Sequence, residues 1–263
     1  MHGAPALSAD FSYLPYVNPD APKGGRIVLG QHGSFDSLTP FIVRGVAAAA
    51  VRAHVCASPL RRPPGDYVYE SLLGRSLDEP FSLYGLIAKS IETDRDRSYI
   101  VFNIDPRARF SDGQPVTPED VLFSWEQLKD KGLPFMRAHY RTVSKATIQP
   151  GNAVRFDFEG HGNREAPLLL GLMPILPKHR FDAETFEQTS LEVPIGSGPY
   201  IVGSVEAGRS ITYRRNPDWW GRDLPINRGR FNFDEVRFDY YRDATALFEA
   251  FKSGQISLRP EED

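Results

Sequence analysis

The sequence predicts a mixed α/β fold. Pro and Gly, 22 of each, divide the chain into short segments in which strand-like and helix-like periods of apolar residues intermix. One stretch, Ser98 to Leu128, carries the signals of a strand, a tight turn and a capped helix in succession. Later, Ile201 to Val205 and Ile211 to Arg215 alternate as adjacent strands do. This mixture favours an α/β or α+β layout over a helical bundle.

The first quarter of the chain is predicted to contain one strand and one exposed loop. Arg26 to Gly30 (RIVLG) is the first strand, and the loop GSFDSLTPF follows it. Gly45 to Val55 has the helical propensity of its alanines, but Ala57 to Asp66 must break a helix because its prolines cannot donate backbone hydrogen bonds. Tyr67 to Leu73 is predicted to begin a helix or a turn.

A strand pair and a tight turn are predicted next. Leu86 to Thr93 and Tyr99 to Ile104 have the composition of paired strands, and Ile100 and Phe102 alternate with their neighbours. Ser111-Asp112-Gly113 then supplies a short polar side chain and a glycine, which suit a reversal of the chain.

A helix with a well-defined start follows this turn. Thr117 is placed to cap it, Pro118 occupies the first helical position, and Glu119 and Asp120 put negative charge at its positive end. We expect Gly132 to end the helix in the left-handed conformation. The predicted apolar face consists of Val121, Leu122, Trp125 and Leu128.

The rest of the chain is predicted to hold five strands and a final helix. Two strands flank the PGN turn, at Ala146 to Gln149 and Val154 to Phe158, and the apolar run Leu168 to Leu176 is interrupted by proline. Ile201 to Val205, Ile211 to Arg215 and Val236 to Tyr240 are the later strands. Asp243 is the predicted cap of a helix that ends at Gly254 and whose apolar face is Ala244, Leu247, Phe248 and Phe251.

Composition argues against several classes of protein. The formal net charge is −3, and the basic residues are dispersed, which gives no electrostatic footprint for nucleic acid. No run of apolar residues approaches the roughly 18 that a membrane span needs. Cys56 is the only cysteine, so no disulfide can form within the chain. The start, MHGAPALSADF, lacks the basic and apolar regions of a secretory signal.

The sequence favours a protein that is not an enzyme. Its six histidines are scattered, with no HExxH or paired-cysteine spacing for a zinc site, and no cofactor is implied. The patterns GxSxG and GxxxxGK[ST], which mark a nucleophile elbow and a phosphate loop, do not occur. Adjacent acids such as Glu119 and Asp120 are more simply helix-end charges than a catalytic pair.

Four motifs, in order along the chain, carry a resemblance to a known family. They are ARFSDGQPVTPEDVLFS, GSGPY at Gly196 to Tyr200, NPDWWG at Asn216 to Gly221, and FEAFKSGQI. The chain resembles the family 5 extracellular solute-binding proteins, the peptide- and nickel-binding components of ABC importers. Further phrases, YVNPDAPKGG and NFDEVRFDYYRD among them, resemble the YejA-like branch, which binds oligopeptides or microcin C-like conjugates.

The resemblance implies a fold of the periplasmic binding protein type II class, peptide-binding subclass. Residues 1–50 and 168–240 would then build the first lobe, 51–167 an extra subdomain with its boundary near Pro167, and 241–263 the crossover to a second lobe that is largely missing. It further implies a periplasmic monomer that binds an oligopeptide-like ligand and delivers it to an ABC permease. The alternative is a truncated lobe that binds no solute and acts as a structural or interaction module.

Candidate ligand contacts follow from the same resemblance. Peptide-binding relatives pair a segment just beyond SLxP with the ligand backbone, and the matching residues here are Arg44, Gly45 and Val46. Arg44 stands where some relatives carry an acidic side chain toward the peptide amino group, and it would suit an acidic or phosphate-bearing ligand.

For the other candidate ligand contacts, a purely structural role is the alternative. Phe35 and Asp36 follow the first strand, where α/β folds present ligand contacts, but Asp36 could instead cap a turn and Phe35 lie in the core. Tyr140 follows the capped helix, where some relatives direct an aromatic side chain toward the ligand, yet a packed aromatic is the simpler reading. Trp219 and Trp220 could stack on a ligand, although packing under their turn is favoured.

Overall fold

The computed structural model describes residues 5–49, 67–79, 81–160 and 165–258. They form two four-stranded sheets, a short hairpin and four α-helices. The elements are, in order, β1 (Arg26–His32), β2 (Leu73–Arg75), β3 (Leu83–Gly85), β4 (Ala88–Thr93), β5 (Tyr99–Ile104), α1 (Pro118–Lys131), α2 (Pro134–Tyr140), β6 (Val143–Gln149), β7 (Ala153–Phe158), α3 (Ala166–Gly171), a 3-10 turn (Lys178–Arg180), β8 (Tyr200–Glu206), β9 (Ser210–Arg215), β10 (Glu235–Tyr241) and α4 (Ala244–Lys252).

The first sheet joins the beginning of the chain to its end. Its strand order is β1-β10-β9-β8, with β1 parallel to β10 and the other pairs antiparallel. The register pairs Arg26 with Glu235 and runs to His32 opposite Tyr241. A parallel pair needs a long connection, and here the whole second sheet lies within that connection.

The second sheet is antiparallel in the order β4-β5-β7-β6, and α1 covers it. Along β5 burial alternates, with Ile100 and Phe102 buried, as the sequence predicted. Trp125 of α1 packs its ring edge against Phe156 of β7 at 6.0 Å between centroids. Helix and sheet thus share one apolar layer.

The predicted turn and helix start are confirmed. Gly113 has φ +85°, and its N–H donates to the Phe110 carbonyl at 2.9 Å. Thr117 caps α1, and the Asp120 carboxylate in turn accepts the Thr117 N–H at 2.9 Å. These two reciprocal bonds form a capping box.

The prediction for Gly132 is wrong in its conformation. Its φ is −69° and its ψ −179°, so the residue is extended, not left-handed, because the chain turns directly into α2 at Pro134. A Cβ at Gly132 would lie 2.4 Å from the Leu128 carbonyl oxygen. Glycine is required there for a close approach of the backbone, not for a positive φ.

The apolar face predicted for α4 is partly wrong. Leu247 and Ala250 are buried, whereas Phe248 and Phe251 are 42% and 43% exposed. The helix packs over Gly30 of β1, where a Cβ would lie 2.3 Å from the Leu247 Cδ1. That contact sets the rotation of the helix, while the predicted cap is confirmed by the Ala246 N–H, which donates to Asp243 at 2.7 Å.

No helix forms at Tyr67 to Leu73. Instead, the carbonyls of Tyr67 and Val68 accept the N–H groups of Tyr200 and Gly198, both at 2.9 Å. A Cβ at Gly198 would lie 2.4 Å from the Tyr67 oxygen, so the glycines of GSGPY allow two backbones to cross closely. The helix expected over Gly45 to Val55 lies largely outside the described residues, and residues 45–49 are not helical.

Two polar side chains of α1 also hold a distant segment. Asp120, 5% exposed, accepts the Lys178 N–H at 2.8 Å in addition to closing the capping box. Ser124 accepts the Leu176 N–H at 2.8 Å. These two hydrogen bonds therefore hold residues 176–178 against the start of α1.

We expect Asp120→Ala to lower the free energy of unfolding by about 2 kcal/mol, because it removes the Asp120 half of the capping box and leaves the part-buried Lys178 N–H without its acceptor. The matched control is Glu119→Ala, an exposed acid in the same helical turn, with an expected loss below about 1 kcal/mol. Urea denaturation followed by circular dichroism measures both. Equal losses would show that only the charge at the helix end matters.

Candidate functional site

The loop after β1 folds back on itself through Asp36. The N–H groups of Asp36 and Ser37 both donate to the Val46 carbonyl, at 3.0 and 3.2 Å, and the Val46 N–H donates to the Asp36 carboxylate at 2.6 Å. Ala48 N–H donates to the Ser37 carbonyl at 2.9 Å. Asp36 thus closes a loop of eleven residues, from Asp36 to Val46, which is the structural role offered as its alternative.

Two tyrosines of the first sheet fix the end of this loop. The Ala49 N–H donates to the Tyr240 hydroxyl at 2.6 Å, and the Tyr213 hydroxyl donates to the Ala49 carbonyl at 2.5 Å. Burial, with smaller contributions from Tyr240 and Tyr67, raises the pKa of Tyr213 well above its ordinary value, so this hydroxyl keeps its proton. Phe35 is 2% exposed and packs on Tyr240, with ring centroids 4.9 Å apart.

Between these anchors the chain presents an open strip, which we define as Val43 to Gly45. Val43 is 64% exposed, and Arg44 and Gly45 are exposed as well. No other described residue hydrogen-bonds to the backbone N–H or C=O groups of the open strip. Val46 differs, because both of its backbone groups already bond within the loop.

Gly45 is required by the geometry of the open strip. Its φ is +79°, and a Cβ there would lie 2.6 Å from Thr189 Cγ2 and 2.7 Å from Asp36 Oδ1. Both the backbone conformation and the space therefore demand glycine. The short distance from this Cβ position to Thr189 also shows that the chain around Thr189 lies directly beside the open strip.

A cavity of about 300 Å³ opens next to the strip. The segment from Arg180 to Ile195 forms most of its wall, and the Leu38 N–H donates to the Ser190 carbonyl at 2.6 Å to close one side. Its lining residues are Leu38, Thr39, Tyr69, Arg180, Phe181, Asp182, Thr185, Phe186, Gln188, Thr189, Ser190, Glu192, Val193, Pro194 and Ile195. None of them was predicted as a site residue.

Ion pairs and hydrogen bonds hold the wall of this cavity in place. His179 Nε2 lies 2.7 Å from Asp112 Oδ2, in the tight turn before α1, and Arg180 pairs with Glu192 at 2.7 Å. Burial would raise the pKa of Asp112, but the hydrogen bonds from His179 and the Gln114 N–H lower it, so the carboxylate stays charged.

Sequence reasoning could have found part of this arrangement. Asp120 and Ser124 are spaced i, i+4 and lie beside the apolar face of α1, where both are buried. A polar pair in that position needs partners, which here are the backbone N–H groups of Lys178 and Leu176.

The structure brings five of the six predicted contacts together. Phe35, Asp36, Arg44, Gly45 and Val46 share the loop after β1. Tyr140 is 2% exposed, and its carbonyl accepts the Trp125 N–H at 3.1 Å inside the second sheet's core. Burial raises the pKa of Tyr140, and its side chain has no accessible surface to offer a ligand.

The two tryptophans pack, as favoured from the sequence. Trp219 is 6% exposed and donates to the Ser197 carbonyl at 2.9 Å, and Trp220 donates to Glu70 at 2.9 Å. Among the described residues, no three His, Cys, Asp or Glu side chains lie close enough to hold a metal ion. Nor does any helix in the described ranges have the length and apolar character to cross a membrane.

Comparison with known proteins assigns the chain to a family. The family described as bacterial extracellular solute-binding proteins, family 5 Middle, matches residues 82–262. The chain is 48% identical to the peptidoglycan-binding protein YepA of Agrobacterium fabrum, covering 100% of this chain and 42% of that protein. It is 38% identical to the uncharacterized protein YejA of Escherichia coli K12, covering 99% and 41%. The chain thus spans about two-fifths of the length of these relatives.

Solved structures show the same fold. The oligopeptide-binding protein AppA of Bacillus subtilis, in complex with a nonapeptide, matches with a TM-score of 0.70 at 22% identity, over 90% of this chain and 44% of that one. MoaA of A. tumefacien R10, in complex with mannopinic acid, matches with a TM-score of 0.68 at 22% identity, over 91% and 45%. These matches confirm the expected α/β fold of the periplasmic binding protein type II class, present in part. The chain belongs to the bacterial extracellular solute-binding proteins of family 5.

Proposed function

We propose that this chain supplies one binding wall of a periplasmic solute-binding protein that delivers oligopeptides or peptide conjugates to an ABC permease. Its family and the names of its relatives support this function. A relative at 48% identity is named a peptidoglycan-binding protein, and AppA is an oligopeptide-binding protein. Peptidoglycan fragments are themselves conjugates of peptide and sugar, so both names fit one ligand class.

The open strip is the observation that carries this proposal. Its exposed backbone groups at Val43 to Gly45 have no partner among the described residues, and an extended ligand could pair with them as an added strand. Such pairing uses the ligand's main chain, so it tolerates many side chains. Val46 would contribute its exposed side chain, because its backbone groups are already bonded.

Phe35 and Asp36 hold the open strip in its conformation. Asp36 holds Val46 through its carboxylate, and Phe35 packs on Tyr240, which in turn binds Ala49. In this proposal they act on the ligand through the shape of the loop. Tyr140 is not a ligand contact in this proposal, because its side chain is 2% exposed.

Arg44 gives the strip a preference for charge. Its guanidinium forms no ion pair with any residue in the described parts of the chain. An exposed, unpaired guanidinium binds carboxylates and phosphates in a bidentate manner. The ligand therefore carries an acidic group next to the peptide that pairs with the strip.

Closure of a second lobe over the ligand would complete the site. In two-lobed binding proteins, hinge closure buries the ligand, and the closed form signals occupancy to the transporter. The alternative is a lobe that binds no solute by itself and serves as a structural or interaction module.

Calorimetry separates these two functions. We expect heat of binding when an acidic oligopeptide library is titrated into this chain, and tighter binding to a version fused to the remaining residues of YejA, because closure buries more ligand surface. Heat released only by the fused version would favour the structural module for this chain.

For Arg44→Glu we expect about a tenfold loss of affinity for an acidic peptide, because an attraction is replaced by repulsion at an exposed position. Arg141→Glu, an exposed arginine after α2, is the matched control and should leave affinity within about twofold. Calorimetry on both variants measures the effect. Unchanged affinity in Arg44→Glu would remove Arg44 from the ligand contacts.

For Gly45→Ala we expect a stability loss of more than about 2 kcal/mol, because the Cβ would displace the Asp36 carboxylate from the Val46 N–H. Gly113→Ala is the matched control, since it has a similar φ of +85° but nothing within 4 Å of its Cβ. Its expected loss is about 1 kcal/mol. Urea midpoints measure both, and equal losses would show that Asp36 does not order the strip.

A further inference from the structure

The tight turn before α1 bonds to the chain on both sides of the cavity wall, Arg180 to Ile195. Before the wall, His179 Nε2 lies 2.7 Å from Asp112 Oδ2. After the wall, the Gly196 carbonyl accepts the Ser111 N–H at 2.8 Å. Two neighbouring residues of one turn therefore hold the start and the end of the wall.

The carboxylate of Asp112 has a fixed position within this turn. Its other oxygen, Oδ1, accepts the Gln114 N–H at 3.1 Å, and the Gln114 carbonyl accepts the Phe110 N–H at 2.8 Å. Phe110 is 3% exposed, and its ring packs on the His179 imidazole with centroids 5.8 Å apart. Asp112 and Phe110 thus hold His179 by one polar contact and one apolar contact.

The cavity wall depends on contacts of this kind, because it has little structure of its own. Residues 181–195 form no helix or strand. The ion pair between Arg180 and Glu192 is largely exposed to solvent, so it contributes little. Lys131 of α1 donates to the Ala183 carbonyl. The wall is therefore positioned mainly by the elements around it.

The same wall touches the loop that carries the open strip. Its Ser190 carbonyl accepts the Leu38 N–H at 2.6 Å, and Thr189 Cγ2 lies 2.6 Å from where a Cβ on Gly45 would be. A shift of the wall would break the first contact and open space at the second. The conformation of the open strip therefore depends on where the wall lies.

We propose that His179 and Asp112 are positioning residues, whose ion pair holds the cavity wall against the loop after β1 and so fixes the open strip for its ligand. Neither side chain contacts the ligand in this arrangement. The ligand is the peptide of the proposed function, so the inference rests on that function and names a means by which pH regulates its site.

The dependence on pH follows from the chemistry of the pair. It is ionic only while His179 carries a proton, and a hydrogen bond between charged groups is stronger than a neutral one. Burial would raise the pKa of Asp112, but the hydrogen bonds from His179 and the Gln114 N–H lower it, so the carboxylate stays charged in mildly acidic solution. Because imidazoles lose their proton near neutral pH, the pair weakens as the pH rises.

The other charged groups around His179 are engaged elsewhere. Lys178 and Arg180 flank it in the sequence, and Arg180 pairs with Glu192 at 2.7 Å. Asp120 of α1 accepts the Lys178 N–H at 2.8 Å. Among the described residues, Asp112 is thus the carboxylate that bonds to the imidazole.

The first test is the pH profile of peptide binding. Calorimetry on this chain uses an acidic peptide with an acetylated amino terminus, whose charge is constant between about pH 5.5 and about pH 8. Wild type should bind about threefold tighter at the lower pH, the size expected for a partly exposed ion pair. His179→Gln, whose amide can still donate to Asp112 without a charge, should lose this difference.

The matched control for the pH profile is His139→Gln. His139 is an exposed histidine of α2 whose ring also lies near a phenylalanine, Phe135, at 6.5 Å between centroids. This variant should keep the wild-type profile.

Hydrogen exchange tests the pair without any ligand. At about pH 5.5, His179→Ala should speed exchange of the Leu38 amide about fivefold, because the wall that accepts this N–H is released, while the amides of β5 keep their protection. Asp112→Asn keeps an acceptor for the Gln114 N–H and should have a smaller effect. Added to His179→Ala, it should have none, because both changes remove the same interaction.

The outcomes separate the positioning role from the proposed function. Identical pH profiles in wild type and His179→Gln, or a Leu38 amide that His179→Ala leaves unchanged, would overturn the positioning role and leave peptide binding intact. If wild type binds no peptide at either pH, the proposed function fails, whereas the exchange rate of Leu38 still decides whether the pair holds the wall.

Discussion

The parallel pairing of β1 with β10 is the constraint on which the candidate site depends. It holds Arg26–His32 against Glu235–Tyr241, two segments separated by most of the chain. Because β1 ends beside Tyr240, the loop that follows it emerges next to the hydroxyls of Tyr213 and Tyr240. Those hydroxyls bind both backbone groups of Ala49. The loop can then expose the backbone of Val43 to Gly45 without losing its shape.

A second constraint acts through close backbone contacts at glycines. Gly196 and Gly198 lie against the carbonyls of Val68 and Tyr67, where a Cβ would come within 2.0 and 2.4 Å of oxygen. Ile195, the last residue of the cavity wall, comes directly before this crossing in the sequence. The wall is therefore fixed at both ends, by the crossing after Ile195 and by Asp120 and Ser124 of α1 before Lys178.

Local structure could be predicted from the sequence where the signals were local. The strands at Tyr99–Ile104 and Ser210–Arg215, the Gly113 turn and the caps at Thr117 and Asp243 all follow from residues within a few positions of each other. The prediction for the apolar face of α4 failed because a distant contact decided the outcome. The rotation of α4 depends on Gly30, more than two hundred residues earlier.

The cavity shows the same limit of sequence-based prediction at the candidate site. It combines Leu38 and Thr39, Tyr69, and the segment after Arg180, three parts of the chain with no common sequence pattern. The segment after Arg180 has no regular secondary structure, so neither periodicity nor capping signals mark it. The open strip, by contrast, could be located through its resemblance to peptide-binding relatives. Its exact extent could not be predicted, because the hydrogen bonds of Val46 depend on the conformation of Asp36.

In the proposed function, the short length of the open strip limits how it can discriminate between ligands. Three residues with free backbone groups can form only a few strand-type hydrogen bonds, each worth about 1 kcal/mol net. Main-chain pairing of that size orients an extended ligand but does not distinguish one sequence from another. In that function, selectivity must then come from side-chain contacts on the strip and beside it. Arg44 offers a cation on the strip, and Thr189 offers a hydroxyl beside it. In the proposed function, a short peptide that carries an acidic group would therefore match the open strip better than a peptide that offers its backbone alone.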